Sequence, residues 1–188
     1  MIKFFAADLD GTLLNSSHAL PDGFMELVEK LYDMGITFAA ASGRQYYGVE
    51  KLFMPVRDKM MFIAENGGVA YEKGQLIYSL PMPDKDVLAM VHEAEKLYDK
   101  GVRILLSGEN CAYVADSDKD FSDSCNTYCA RLKTVNDFSV IPDGDRRIKI
   151  ALYDKNAEAG VDPAKKPFSD DFNVILSNTC WVDIVGKT

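Results

Sequence analysis

Two aspartates, Asp8 and Asp10, close an apolar run in "FFAADLDGTLL" and are followed at once by Gly11 and Thr12. Carboxylates gathered behind a buried strand are costly unless they are paired or bound to a cation. A carboxylate at a strand end is also a candidate nucleophile, and acyl phosphates on aspartate are one class of covalent intermediate. Charge is the obstacle. A phosphate dianion about 4 Å from Asp8 feels roughly 8 kcal/mol of repulsion at an effective dielectric of about 20, which is on the order of six decades in rate. A cation must offset it. Mg2+ suits oxygen ligands and takes one or two carboxylates together with water and substrate phosphate. Asp8 can supply one such oxygen. Asp10 is placed to act as general acid and base, protonating the leaving oxygen and then taking a proton from the attacking water. Gly11 allows the sharp exit from the strand, and the backbone N–H groups around Gly11 and Thr12 can face a phosphate.

These residues need a scaffold, and the pattern around them supplies one. "KFFAA" (3–7) reads as a buried strand, and "PDGFMELVEKLYDMG" (21–35) carries Phe24, Leu27, Val28, Leu31 and Met34 at helical spacing. "ITFAAA" (36–41) and "MMFIA" (60–64) read as two more buried strands, with a short helix over 45–53 between them. Alternating strands and helices with unbroken apolar strands predict a parallel sheet covered on both faces. Ligands bind beyond the carboxyl ends of such strands. The polar residues sit there: Asp8 and Asp10 after the first strand, Ser42, Gly43 and Arg44 after the second, Asn66 and Gly67 after the third. Ser42 offers a hydroxyl donor with the Gly43 N–H beside it. Taken alone, "SGR" and "NG" are ordinary turns; their force comes from the shared rim. "VAYEKGQLIYSL" (69–80) then reads as a hairpin around Lys73-Gly74.

Past a linker at "PMPDKD" (81–86) the rhythm changes. Helices over about 84–99 and 118–130 alternate with short strands at 102–106, 111–115, 131–135, 147–153, 173–177 and 180–185. Close turns between them predict an antiparallel sheet backed by helices, a second α+β unit.

"DLDGTLL" after a buried strand resembles the first motif of the haloacid dehalogenase superfamily phosphatases. "AASGR" (40–44) resembles the second motif, and "IAENGG" (63–68) resembles the asparagine-glycine signature of the Cof-type branch with a type IIB cap. The resemblance implies an α/β fold: a Rossmann-like parallel core (1–82), incomplete here, an inserted α+β cap domain (83–185), and the start of the return to the core at 186–188. It also implies a Mg2+-dependent cytoplasmic phosphatase acting on a small phosphorylated metabolite, such as a sugar phosphate, through an aspartyl-phosphate. By that likeness Asp8 is the nucleophile and a Mg2+ ligand. Asp10 is the acid/base and a Mg2+ ligand through its backbone carbonyl, and Ser42 is the phosphate donor. Arg44 and Asn66 would shape the entrance, and the cap would close over the substrate and set specificity.

The sequence departs from the family pattern at "WVDIVGKT". Lys187 lies close to where the family places a lysine in a "KG" context, and no later "GD"-type acidic pair follows within residues 1–188. The first strand, central in the family, would then be an apolar edge, which predicts self-association or a completing partner chain. Two other readings differ in class. One is a truncated, catalytically impaired chain that keeps only a weak phosphate or metal site; the other is a receiver-like module that traps phosphate on Asp8 without turnover.

Composition narrows the field. A net charge of −8, with no basic stretch, excludes a phosphate-backbone surface and hence nucleic acid as the partner. No 18-residue apolar window predicts a membrane span. The opening "MIKFFAADLDG" lacks the pattern of a signal peptide. Cys111, Cys125, Cys129 and Cys180 form no CxxC pair and fit buried thiols of a reducing compartment. "DSDKDFSDSCNT" (116–127) imitates a calcium loop, but Phe121 stands where glycine belongs and Thr127 where glutamate belongs. "GKT" (186–188) lacks the first glycine of a P-loop, since Trp181 stands there. "HEAEK" (92–96) lacks the second histidine of a zinc helix, and His18 and His92 read as surface residues.

Overall fold

The computed structural model describes residues 2–115, 119–142, 144–155 and 170–187. Contacts divide the chain into two compact units, one running to Ser79 and the other starting at Leu80.

In the first unit, β1 (Phe4–Asp8), β2 (Thr37–Ala41), β3 (Met60–Ala64), β4 (Val69–Glu72) and β5 (Gln75–Ser79) form one sheet in that order. β1, β2 and β3 are parallel, and β4 and β5 return antiparallel as a hairpin over Lys73 and Gly74, whose φ angles are +50° and +74°. Paired positive φ is the geometry that tight hairpin turns require. Helices α1 (Phe24–Asp33) and α2 (Tyr46–Leu52) make the crossovers.

Both helices lie on one face. Phe24 of α1 meets Phe38 of β2 edge-on at 5.4 Å, and Tyr46 of α2 meets Phe62 of β3 at 5.6 Å. Ala40 pairs with Phe62 and shares the face of Phe38, so the two contacts lie on the same side of the sheet. The expected cover on both faces is therefore not what this unit shows. Right-handed crossovers that step in one direction, β1 to β2 to β3, put every helix on the same side. α1 accordingly buries Phe24 and Val28, while Leu27 and Met34 of its predicted stripe remain exposed. The expected edge position of the first strand is observed, since β1 begins the sheet order.

The second unit holds α3 (Asp84–Glu95), β6 (Arg103–Gly108), β7 (Ala112–Val114), α4 (Lys119–Tyr128), β8 (Leu132–Thr134), β9 (Arg147–Tyr153), β10 (Phe172–Asn178) and β11 (Trp181–Gly186). Its sheet runs β10-β11-β9-β6-β7-β8. All pairs are antiparallel except β7 and β8. That exception follows from α4, because a helical crossover returns the chain in the same direction. One face packs Ile104, Leu106, Ile150 and Ile184 against Val87, Met90 and Val91 of α3. The other packs Leu105, Ala151 and Trp181 against Phe121 and Cys125 of α4. The four cysteines are free, with Cys111, Cys125 and Cys129 buried. Asp183, on β11, is buried and accepts a hydrogen bond from Ser177 Oγ at 2.8 Å, with Lys149 Nζ at 3.5 Å. The calcium-like run 116–127 begins outside the described residues, and Thr188 also lies outside them.

Candidate active site

The three parallel strands bring their carboxyl ends to one rim. Asp8, the last residue of β1, lies beside Ala41, the last of β2, and Ala41 lies beside Ile63 of β3. Main-chain bonds then tie the loops beyond them. The Ser42 N–H donates to Ile63 O at 2.9 Å, the Glu65 N–H to Arg44 O at 3.1 Å, and the Asn66 N–H to Ser42 O at 3.3 Å.

After Asp8 the chain makes one wide turn over Leu9–Leu13, closed by the Leu14 N–H donating to Leu9 O at 2.8 Å. Gly11 sits at φ +76°, a conformation side-chain-bearing residues rarely adopt. Leu9 is fully buried and anchors the turn, while Asp8, Asp10 and Thr12 are exposed. Placing the aspartates at an open rim avoids the burial penalty that the sequence raised.

Asp10 is held by Arg44. The guanidinium donates from Nε to Oδ2 at 2.8 Å and from Nη2 to Oδ1 at 2.5 Å, a two-point pair between the first and second strand loops. Arg44 is fixed in turn, because its own N–H donates to Ser42 Oγ at 3.1 Å. Ser42 is buried. The loop after β3 is strained: Glu65, Asn66 and Gly67 stand at φ +52°, +56° and +88° in succession. Left-handed backbone at a non-glycine residue costs on the order of 1 kcal/mol and persists where its surroundings impose it. The Asn66 side chain crosses Gly43, where an added Cβ would stand 2.5 Å from Asn66 Oδ1.

The structure thus draws Asp8, Asp10, Ser42, Gly43, Arg44 and Asn66 to one rim, with Gly11, Thr12 and Gly67 on the same loops. His18 adds to this group. The Asn15 side chain accepts from the N–H groups of Ser17 and Ala19 and curls the chain into a small loop with His18 at φ +56°. Its Nδ1 lies 3.8 Å from Asp10 Oδ1 and 3.5 Å from Arg44 Nη2. His18 is a surface residue, as its sequence context suggests, but one that borders the site. The asparagine two residues before a serine, with a histidine close behind, is the only sequence trace of that loop. The buried Glu65 gave no signal beyond its neighbour's turn.

The chain matches the haloacid dehalogenase-like hydrolases over residues 5–187. It belongs to that family. It is 33% identical over 147 residues to the 5-amino-6-(5-phospho-D-ribitylamino)uracil phosphatase YbjI of Escherichia coli (strain K12), covering 76% of this chain and 52% of that protein. The chain spans about half the length of the curated relatives it matches. Among solved structures, SMU.1108c from Streptococcus mutans UA159 superposes with a TM-score of 0.86 at 24% identity, covering 100% of this chain and 71% of that one. The subclass IIB sugar phosphatase BT4131 superposes with a TM-score of 0.75 at 19% identity, covering 98% and 70%. At these identities the structural likeness shows the fold alone, a mixed α/β unit followed by an α+β unit.

Proposed function

We propose that this chain carries the nucleophile half of a Mg2+-dependent phosphatase site acting on a small phosphorylated metabolite in the cytoplasm. The observation that carries the reading is the meeting of Asp8 and Asp10 with the Ser42–Arg44 and Asn66 loops on one rim, within a family of hydrolases. Asp8 attacks phosphorus and becomes an aspartyl-phosphate. Asp10 gives a proton to the leaving oxygen and then takes one from the water that cleaves the intermediate. Ser42 and the Gly43 N–H hold phosphate oxygens, and Asn66 limits the entrance. Residues 83–185 take the role of a substrate-selecting cap. The names of the relatives favour a phosphate on a sugar or polyol chain, and three buried free thiols fit a reducing compartment.

The donors suit a hard cation. Arg44 occupies both Asp10 carboxylate oxygens, which leaves the Asp8 carboxylate and the Asp10 main-chain oxygen for a metal. Mg2+ is content with one or two carboxylates completed by water and substrate phosphate. When bound it supplies the positive charge that lets a phosphate approach Asp8. Among the described residues no group of three or more histidine, cysteine or acidic side chains could hold a metal. The exposed apolar edge of β1, with Phe4 and Phe5 about half exposed, favours a second reading, an impaired chain with a weak site that associates with itself or a partner.

Hydrolysis of an aryl phosphate separates the two. The first reading expects Mg2+-dependent turnover that Asp8→Asn lowers by at least about a thousandfold. Equal rates for the chain and Asp8→Asn would leave only the second.

A further inference from the structure

We propose that His18 is a specificity-determining residue of the rim, one that hydrogen-bonds a hydroxyl on the leaving alcohol of a phosphorylated polyol. The inference rests on the phosphatase reading and adds to it the contact that chooses the substrate.

The position of the ring is built into the loop. Residues 15–19 close on themselves through four bonds. The Asn15 N–H donates to Ala19 O at 3.0 Å and the His18 N–H to Asn15 O at 2.9 Å, while Asn15 Oδ1 accepts from the N–H groups of Ser17 at 2.9 Å and Ala19 at 3.0 Å. These bonds hold His18 at φ +56°, a conformation that a side-chain-bearing residue keeps only where its surroundings impose it. Packing does not account for the histidine, since its side chain is 72% exposed. The ring gains no burial and borders the rim instead.

Arg44 orients that ring. Its Nη2 carries two hydrogens: one goes to Asp10 Oδ1, and the other is directed at His18 Nδ1, 3.5 Å away. A guanidinium has only hydrogens to give, so Nδ1 accepts and the ring proton lies on Nε2. Among the described residues no protein group takes that Nε2 hydrogen. It is a donor left for a ligand.

Asp10 determines what the donor meets. In the proposed reaction Asp10 protonates the oxygen that leaves phosphorus, so the carbon chain of the leaving alcohol lies against the Asp10 carboxyl. His18 Nδ1 stands 3.8 Å from Asp10 Oδ1. The imidazole therefore borders that chain and not the phosphoryl group, which the reading places among Asp8, Ser42 and Gly43. A hydroxyl one or two carbons from the ester oxygen comes within hydrogen-bond reach of Nε2. An aryl leaving group has no such hydroxyl. The substrate class this selects is a phosphate monoester of a polyhydroxylated chain.

The test is NMR of the nitrogen-labelled Asp8→Asn chain with Mg2+, titrated with ribitol phosphate, phenyl phosphate and inorganic phosphate in turn. The sequence holds 2 histidines, and the ring signals lost on adding His18→Ala assign His18. The expected result is that all three ligands move the Ser42 and Gly43 amides, whereas ribitol phosphate alone shifts the His18 Nε2 signal. His18→Ala should weaken ribitol phosphate binding roughly tenfold more than phenyl phosphate binding, the effect of one lost hydrogen bond. His18→Gln, which keeps an N–H donor, should recover part of that loss. Ribitol phosphate that moves the rim amides without the His18 ring, or a His18→Ala variant that weakens both ligands equally, overturns the proposal. If no ligand moves the rim amides, the proposal and the phosphatase reading fall together. If the His18 ring responds while the chain and Asp8→Asn hydrolyse phenyl phosphate at equal rates, the His18 contact stands and only the phosphatase reading falls.

Discussion

Arg44 grips Asp10 at two points, Nε to Oδ2 at 2.8 Å and Nη2 to Oδ1 at 2.5 Å, and so joins the loop after β1 to the loop after β2. Asp10 can serve as acid and base only if its carboxyl stays aimed at the rim. Arg44→Ala should therefore lower kcat by roughly 10 to 100-fold, part of the range that a positioned acid/base contributes. Arg44→Lys should recover little of it, because an ammonium cannot match both oxygens. Asp10 is 44% exposed, so the pair adds little to stability, and the unfolding free energy of either variant should move by less than about 1 kcal/mol. Paired kinetic and urea-unfolding measurements check this.

Gly43→Ala probes the close approach of Asn66. The new methyl would stand 2.5 Å from Asn66 Oδ1, and a terminal side-chain atom yields more readily than backbone. The expected outcome is a modest loss of stability, about 1 kcal/mol, with a rise in KM several times larger than the fall in kcat. Inhibition by inorganic phosphate should weaken in parallel.

Asn66 has a backbone role and a side-chain role that can be separated. At φ +56°, Asn66→Ala should destabilise by about 1 kcal/mol because alanine resists the left-handed region. Asn66→Gly should restore that stability without restoring substrate affinity. Thermal melts and KM values of the two variants together decide the point.

The backbone plan of this site was legible because its signals are local. Asp8, Ser42 and Asn66 each follow an apolar run of strand length, and parallel strands must end on a common rim. The edge position of β1 came from the family resemblance, in which that strand is central, and not from the local pattern. The bare sheet face was not legible, since helix sidedness depends on the order in which strands join, which periodicity does not record. The Arg44–Asp10 pair joins residues 34 positions apart, and His18 reaches them only through the curl set by Asn15. Such contacts arise from tertiary placement and leave no spacing to read. In the second unit, the parallel β7–β8 pair departs from the expected antiparallel sheet for the same reason, a crossover helix placed between two short strands.

Cys125 predicts a pH dependence of stability. Burial pushes its thiol up from an ordinary 9.0 to about 12, and burial raises Cys111 in the same direction. Above pH 9 the unfolded chain loses protons that the folded chain keeps, so it binds fewer protons and stability falls as pH rises. Below pH 9 both states hold the proton and Cys125 contributes no slope. Urea midpoints should be flat between pH 7 and 8 in this respect and decline from about pH 9 upward. Cys125→Ala should be less stable overall but show a shallower decline.

The central claim is that Asp8 takes the phosphoryl group. Brief exposure of the chain to an aryl phosphate with Mg2+, an acid quench, and mass spectrometry of the proteolytic peptides test it most directly. The account predicts a phosphoryl mass increment on the peptide containing Asp8, absent without Mg2+ and absent from Asp8→Asn. An increment on another residue, or one that persists in Asp8→Asn, would contradict it.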